Sequence, residues 1–185
     1  MRIEPVDSNH NLYSICDCYS KDLVEQILAT PWLDMPWEPQ SGQESWPRRR
    51  IDLVNLPWRQ QWEQETRRSW FQLSVTLQRP MLKYDSAFTY FWLDMPGFTC
   101  DLHTDGQLPG AIQLAWHGHI DLSTRFYHDQ DCDQVRMHKD FCPNSGYIMV
   151  NRTGSMYESG LWHDMPVPVP KGEYRVSSYT LLHFL

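Results

Sequence analysis

Apolar and polar positions follow two different rhythms along this 185-residue chain, and the change falls near Lys83. Before it, helical spacing dominates. Lys21–Leu28 places Leu23, Ile27 and Leu28 on one face, with Ser20 in the position of an N-cap and Asp22 in the first turn. Thr30-Pro31 ends that helix, because the residue before a proline is pushed out of the helical region. The stretch from Pro31 to Pro57 is rich in Pro, Gly and Trp. It predicts a loop with a short strand at Ile51–Val54 and a basic run at Arg48-Arg49-Arg50, read as solvated loop with a substrate-facing or anion-binding lid as the alternative. A second helix is predicted from near Pro57, where Trp58, Trp62, Glu65 and Ser69 recur at helical intervals through Gln60 to Trp70.

Beyond Lys83, short runs of β-branched and aromatic residues alternate with turn clusters. Strands are predicted at Phe88–Leu93, Phe98–His103, Ala111–Trp116, Ser123–Tyr127, Val135–His138, Gly146–Val150, Ser159–His163 and Tyr174–Phe184. The turns between them include Asp105-Gly106 and Asn151–Gly154. Strands following two helices define a mainly β protein, a jelly roll with the N-terminal helices packed on one sheet. The expected organisation is a single domain over 1–185, with helical support and loops in 1–82 and a β core in 83–185.

Composition narrows the function. Apolar residues make up 41% and charged residues 21%, enough for a packed core. The net charge is −7, which argues against a protein that grips nucleic-acid backbones. Mean hydropathy is −0.57, and no run long and apolar enough to span a membrane is present. The segment Met1–Ser14 lacks the apolar core of a signal peptide. Five cysteines (Cys16, Cys18, Cys100, Cys132, Cys142) form no CxxC pair, which fits a reducing, cytoplasmic setting. Of nine tryptophans, Trp32, Trp37, Trp46, Trp58, Trp62 and Trp70 precede residue 71 and are expected to fill the core. Trp32-Leu-Asp-Met-Pro36 recurs as Trp92-Leu-Asp-Met-Pro96, but the flanks differ and the recurrence reads as chance.

Candidate chemistry begins with His103-Thr-Asp105 at the end of a predicted strand. Residues at i and i+2 share a face, so an imidazole and a carboxylate converge there as two ligands of a facial triad. His163 is the candidate third ligand. A fold-back centred near Val169 predicts Arg175 opposite His163, where Cβ atoms on paired strands lie about 5 Å apart. A guanidinium so placed takes a carboxylate through a bidentate pair, and Ser177, on the same face, adds a hydroxyl donor. His117-Gly-His119 is a rival pair, without the following Glu that a cupin metal site would use. His10, His128, His138 and His183 read as ordinary surface or strand histidines.

Together, His103-x-Asp105, His163 and Arg175-x-Ser177, with the intervening strand Asn144–Val150, resemble the 2-oxoglutarate- and Fe(II)-dependent oxygenases of the prolyl-hydroxylase kind. The resemblance covers roughly residues 84–184. It implies a double-stranded β-helix, with His103, Asp105 and His163 as iron ligands and Arg175, assisted by Ser177, on the distal carboxylate of 2-oxoglutarate. It also implies hydroxylation of a C–H bond of a peptide, amino acid or small metabolite by O2, with succinate and CO2 as co-products. Tyr90 is the nearest phenol for that same carboxylate, at a loose spacing from His103. The competing function is a cupin-like metal or small-ligand binding module without oxygenase activity.

Overall fold

The computed structural model describes residues 1–6, 11–39, 45–105, 108–119, 121, 123–128, 133–150 and 161–185. The predicted turn residue Gly106, the turn Asn151–Gly154, His10, Cys132 and positions 159–160 of a predicted strand lie outside them. In chain order the elements are β1 (Arg2–Pro5), β2 (Leu12–Cys16), α1 (Lys21–Leu28), β3 (Glu38–Pro39), β4 (Arg48–Asp52) and α2 (Arg59–Thr76). There follow β5 (Thr89–Asp94), β6 (Cys100–His103), β7 (Gly110–His117) and β8 (Thr124–Tyr127). The last are β9 (Val135–Lys139), β10 (Ser145–Val150), β11 (His163–Met165) and β12 (Arg175–Leu181).

Two antiparallel sheets result. One runs β1-β2-β10-β7-β12-β5-β4-β3 and the other β6-β11-β8-β9. From β5 onward the strands pass back and forth between the two sheets. Alternation along β12 sorts its side chains. Val176 joins the large core cluster outside the barrel, whereas Tyr179 packs in the inner cluster with Phe126 and Tyr147. Arg175 and Ser177 share the inward phase of Tyr179. Glycine is required at Gly146, because a Cβ there would come within 1.8 Å of the Gln113 carbonyl oxygen on β7.

Helix α1 begins as its sequence dictates. Ser20 Oγ accepts from the Leu23 amide, and Leu23 and Ile27 are fully buried. Leu28 is 44% exposed, so the apolar face is narrower than its composition implies. Helix α2 is longer than predicted and reaches Thr76, where Gln78 at φ 53° breaks the spiral. Leu23 and Ile27 of α1, Trp62, Trp70 and Leu73 of α2, and Phe91, Leu114, Trp116, Ile148 and Val176 of the large sheet share one hydrophobic cluster. Tryptophan fills that layer: Trp62 lies against Tyr19 at 4.2 Å, Trp116 at 5.5 Å and Phe91 at 5.3 Å between ring centroids.

Among the described residues, the first 82 positions also supply four strands, two on each edge of the large sheet. Strand β4 begins at Arg48, so the basic run read as a solvated loop is paired backbone, with Arg48 opposite Asp94 and Ile51 opposite Phe91. The two Trp-Leu-Asp-Met-Pro segments differ in structure, a 3-10 turn at Trp32–Asp34 and a strand at Trp92, so the recurrence is not a repeat. No helix among the described residues is long and apolar enough to cross a membrane.

Candidate metal centre and its basic cavity

Strand β6 ends at His103, and β11 begins at the residue directly opposite it, His163. That pairing brings the two imidazoles to a centroid distance of 4.3 Å. Strand β11 is only three residues long, yet it is held on both sides. Beyond its pairing with β6, Asp164 lies opposite Arg125 of β8 and takes its guanidinium in a two-point contact at 3.0 and 2.7 Å. Asp105 follows β6, and its carboxylate completes a group whose ligand atoms all lie within 4.8 Å of one another.

The donors are already oriented. His163 Nδ1 is 2.9 Å from the Leu161 carbonyl oxygen, and His103 Nδ1 is 2.7 Å from that of Asp101. A carbonyl accepts only from N–H, so each contact places the proton on Nδ1 and leaves Nε2 as the inward donor atom. Asp105 Oδ1 lies 3.5 Å from His103 Nε2 and 3.9 Å from His163 Nε2. Ligand atoms about 2.1 Å from one cation at right angles stand about 3 Å apart, so a small contraction around a divalent ion joins all three. Two imidazoles and one carboxylate on one side of a cavity are a donor set that fits Fe(II) and leaves coordination positions open.

Electrostatics follow burial. Desolvation pushes His163 below its ordinary value, outweighing the Asp105 charge, so this imidazole stays neutral and ready to ligate. His103, more exposed, is raised to about 10 by its contact with Asp105 and then by Cys100. Burial would raise Asp105, but the contact with His103, the nearby His163 imidazole and the Tyr179 hydroxyl hold it down to about 2. That hydroxyl donates to Asp105 Oδ2 at 2.6 Å, while burial and the neighbouring carboxylate push Tyr179 well above the usual phenol range.

A cavity of about 150 Å3 runs inward from the triad, walled by Arg48, Tyr90, Trp92, Cys100, Gln113, Tyr147, Met165 and Tyr179, among others. Its wall interleaves aromatic rings with polar groups. Tyr147 donates to Gln113 Oε1 at 2.6 Å, and Cys100 Sγ stands 3.6 Å from His103 Nδ1. Behind the wall, the fully buried Asp94 lies between Arg48, which lines the cavity, and Arg175. Arg48 reaches its carboxylate at 2.5 and 3.1 Å, and Arg175 reaches Oδ2 at 2.8 and 2.6 Å. The Asp94 carboxylate is held below its ordinary range by the two guanidiniums against the opposing effect of burial.

Of the residues singled out from sequence, His103, Asp105 and His163 come together. Arg175 and Ser177 are placed differently from the fold-back expectation. Strands β11 and β12 lie in different sheets, so Arg175 stands opposite Asp94 on β5 and not opposite His163. The proline-rich connection crosses between sheets instead of closing a hairpin. Ser177 Oγ is fully buried with no hydrogen-bond partner among the described residues, on the strand face between Arg175 and Tyr179. His163 opens its strand where the end of one was expected. His117 is not in the triad but stacks on Tyr174 at 4.2 Å, and His119 pairs with Asp121. The sequence reading did not single out Cys100, Gln113, Tyr147 and Tyr179, which line the cavity, or the buried Asp94 behind it, and it weighed Arg48 only within a basic run read first as solvated loop and second as an anion-binding lid. Tyr179 alone had a local signal, since it continues the alternation Arg175, Ser177, Tyr179.

The fold is shared with solved enzymes of low sequence identity. A Pseudomonas putida prolyl-4-hydroxylase superposes at TM-score 0.62 with 16% identity, covering 95% of this chain and 94% of that one. The collagen prolyl hydroxylase of Paramecium Bursaria Chlorella virus-1, in complex with 2-oxoglutarate, gives 0.63 with 9% identity over 95% and 96% of the chains. HygX from Streptomyces hygroscopicus, with nickel and 2-oxoglutarate bound, gives 0.61 with 8% identity over 94% and 82%. No protein-family model matches the sequence, and no curated protein matches it. The architecture is thus one on which these oxygenases are built.

Proposed function

We propose that the chain is an Fe(II)- and 2-oxoglutarate-dependent dioxygenase that hydroxylates a C–H bond of a peptide, amino acid or small metabolite. The observation that carries this reading is the convergence of His103, Asp105 and His163 on a cavity that the Arg48 guanidinium also lines. The similar structures with bound 2-oxoglutarate and nickel support it. In this reading His103, Asp105 and His163 hold the iron. The distal carboxylate of 2-oxoglutarate is directed to the basic cluster that includes Arg175, and Ser177 offers it a hydroxyl.

The residues present fit such a co-substrate. The trio Arg48, Asp94 and Arg175 sets two positive charges against one negative, and a second carboxylate balances it. The partnerless Ser177 hydroxyl supplies a donor without which its burial costs free energy. Bound iron, with 2-oxoglutarate and O2, would supply the oxidative decarboxylation that yields succinate, CO2 and a hydroxylated product. The chain's own contribution is positional. Tyr179 holds the Asp105 carboxylate, the Leu161 and Asp101 carbonyls fix the imidazoles, and aromatic walls exclude water.

A groove of about 480 Å3 lined by Pro36, Glu38, Arg50, Asp52 and Asn55 shares Tyr90 and Trp92 with the inner cavity. It meets the inner cavity at those two rings and is the place assigned to the prime substrate. The net charge of −7 disfavours nucleic acid as that substrate. Cys16, Cys18, Cys100 and Cys142 are free thiols, which supports a reducing, cytoplasmic setting. The test is anaerobic addition of Fe(II) and 2-oxoglutarate, which gives the weak visible charge-transfer band of a chelated 2-oxo acid if the reading holds. Succinate release on admitting O2 and candidate substrates completes the test. Absence of both band and succinate would make the chain a binding module.

A further inference from the structure

We infer that Arg48, carried by β4 outside the strands of the jelly roll, makes the direct contact with the distal carboxylate of the co-substrate, while Arg175 acts behind it as a positioning residue through Asp94. The inference rests on the dioxygenase reading above and assigns a contact within it.

Three observations on the cavity lead there. Arg48 is on its wall, whereas Arg175 is not among the lining residues and is 1% exposed. Arg48 uses Nε and Nη2 on Asp94, and its Nη1 has no hydrogen-bond partner among the described residues. Its guanidinium is also caged: the Phe98 ring centroid is 4.1 Å from Cζ, that of Trp92 5.0 Å and that of Trp46 5.4 Å. A planar cation between aromatic rings, anchored on two nitrogens by a buried carboxylate, has one orientation, and its third nitrogen is left for a ligand.

The register of β12 sets the direction of approach. Tyr179 bonds the metal-facing Asp105, and Ser177 and then Arg175 follow inward on the same strand face, opposite Trp92 and Asp94 of β5. A dicarboxylate with one end at the triad therefore extends along the cavity toward Arg48, whose fork stands on Asp94 behind the wall. There Arg48 comes across from β4, whose Arg48 is also in register with Asp94. Arg175 meets the far side of that carboxylate through Nε and Nη2, both on Oδ2. Its work is to hold Asp94, and so the Arg48 fork, in place.

The charge count makes the assignment testable. With two guanidiniums and one carboxylate, replacing either arginine by glutamine leaves a neutral pair, so either variant keeps its buried carboxylate partnered. The experiment is an anaerobic Fe(II) titration of the full chain, following the charge-transfer band with 2-oxoglutarate and, separately, with 2-oxobutyrate, which lacks the distal charge. For Arg48→Gln the expected result is a loss of about tenfold or more in 2-oxoglutarate affinity, with 2-oxobutyrate and Fe(II) affinities nearly unchanged. Arg48→Lys, which keeps the charge and loses the fork, should fall between and serves if the glutamine variant melts early. Arg175→Gln should retain more of the preference for 2-oxoglutarate than Arg48→Gln does. A folded Arg48 variant with the parent's preference intact, or a preference lost only in Arg175→Gln, overturns the inference and returns the contact to Arg175. No band in the parent protein with either acid overturns the dioxygenase reading itself, and the inference with it.

Discussion

At the scale of single residues, three side chains are the proposed metal ligands and Tyr179 steadies one of them, Asp105. Asp105→Ala and His163→Ala should each abolish Fe(II) retention while leaving the melting transition cooperative, because the triad sits at the cavity head and not in the packed layer. Metal content after desalting, beside a thermal melt, checks this; retained iron in both variants would refute the triad. Tyr179→Phe keeps the ring and removes only the 2.6 Å bond to Asp105, so metal affinity should fall by about 10- to 100-fold, as for other lost partners of ligands. His103 adds a pH signature. Its folded value of about 10 exceeds the unfolded value, so its stabilisation of the metal-free protein is fully present below about 6.5 and is lost as pH rises through 10. Metal must displace that proton. Calorimetry of Fe(II) binding in two buffers of different ionisation enthalpy should therefore report proton release near neutral pH, and a His103→Ala variant should lose the signal.

At the scale of elements, the short strand β11 depends on its neighbours more than on its own three residues. Register with His103 on one side and the Arg125–Asp164 pair on the other replace the length it lacks. The helices follow a different rule, in which local signals set the ends and long-range packing supplies the stability. Ser20 shows both, since its hydroxyl caps α1 and also donates to Glu65 of α2 at 2.6 Å. Trp62 of α2 is fully buried amid Tyr19, Trp58, Phe91 and Trp116. Trp62→Ala should cost about 3–5 kcal/mol, the range for truncating a large core aromatic, measured by chemical denaturation. A loss under about 1 kcal/mol would mean that the helix–sheet layer is not tightly packed.

For the whole molecule, the N-terminal 82 residues are woven into the barrel from both edges. Strand β2 pairs with β10 and β4 with β5, and the helices share a cluster with the sheet's outer side. A fragment beginning at Lys83 would leave Phe91, Leu114, Trp116, Ile148 and Val176 without that cover and expose two long strand edges. It should be insoluble or molten, as judged by near-ultraviolet circular dichroism. A cooperatively melting fragment would instead establish two separable domains. If Arg48 binds the co-substrate, the same fragment also lacks that contact, so the N-terminal segment belongs to the site as well as to the scaffold.

Local chemistry made part of this legible from the chain alone. A cap at Ser20, helical spacing across Leu23 and Ile27, and alternation along Arg175, Ser177 and Tyr179 depend on neighbours within a few residues. Such patterns are written in order along the sequence. The strands beyond Lys83 and the His103-x-Asp105 pair were readable for the same reason. What only the tertiary structure decided is which strands meet. Arg175 and Asp94 are 81 positions apart and Arg48 and Asp94 are 46 apart, and no local period joins them. Arg48 lies in a run of three arginines whose composition reads as solvated surface. It becomes a buried cavity residue because β4 takes a register that sets it against Asp94, and the free energy that fixes that register is burial of Ile51 against the helices, far from the charge itself.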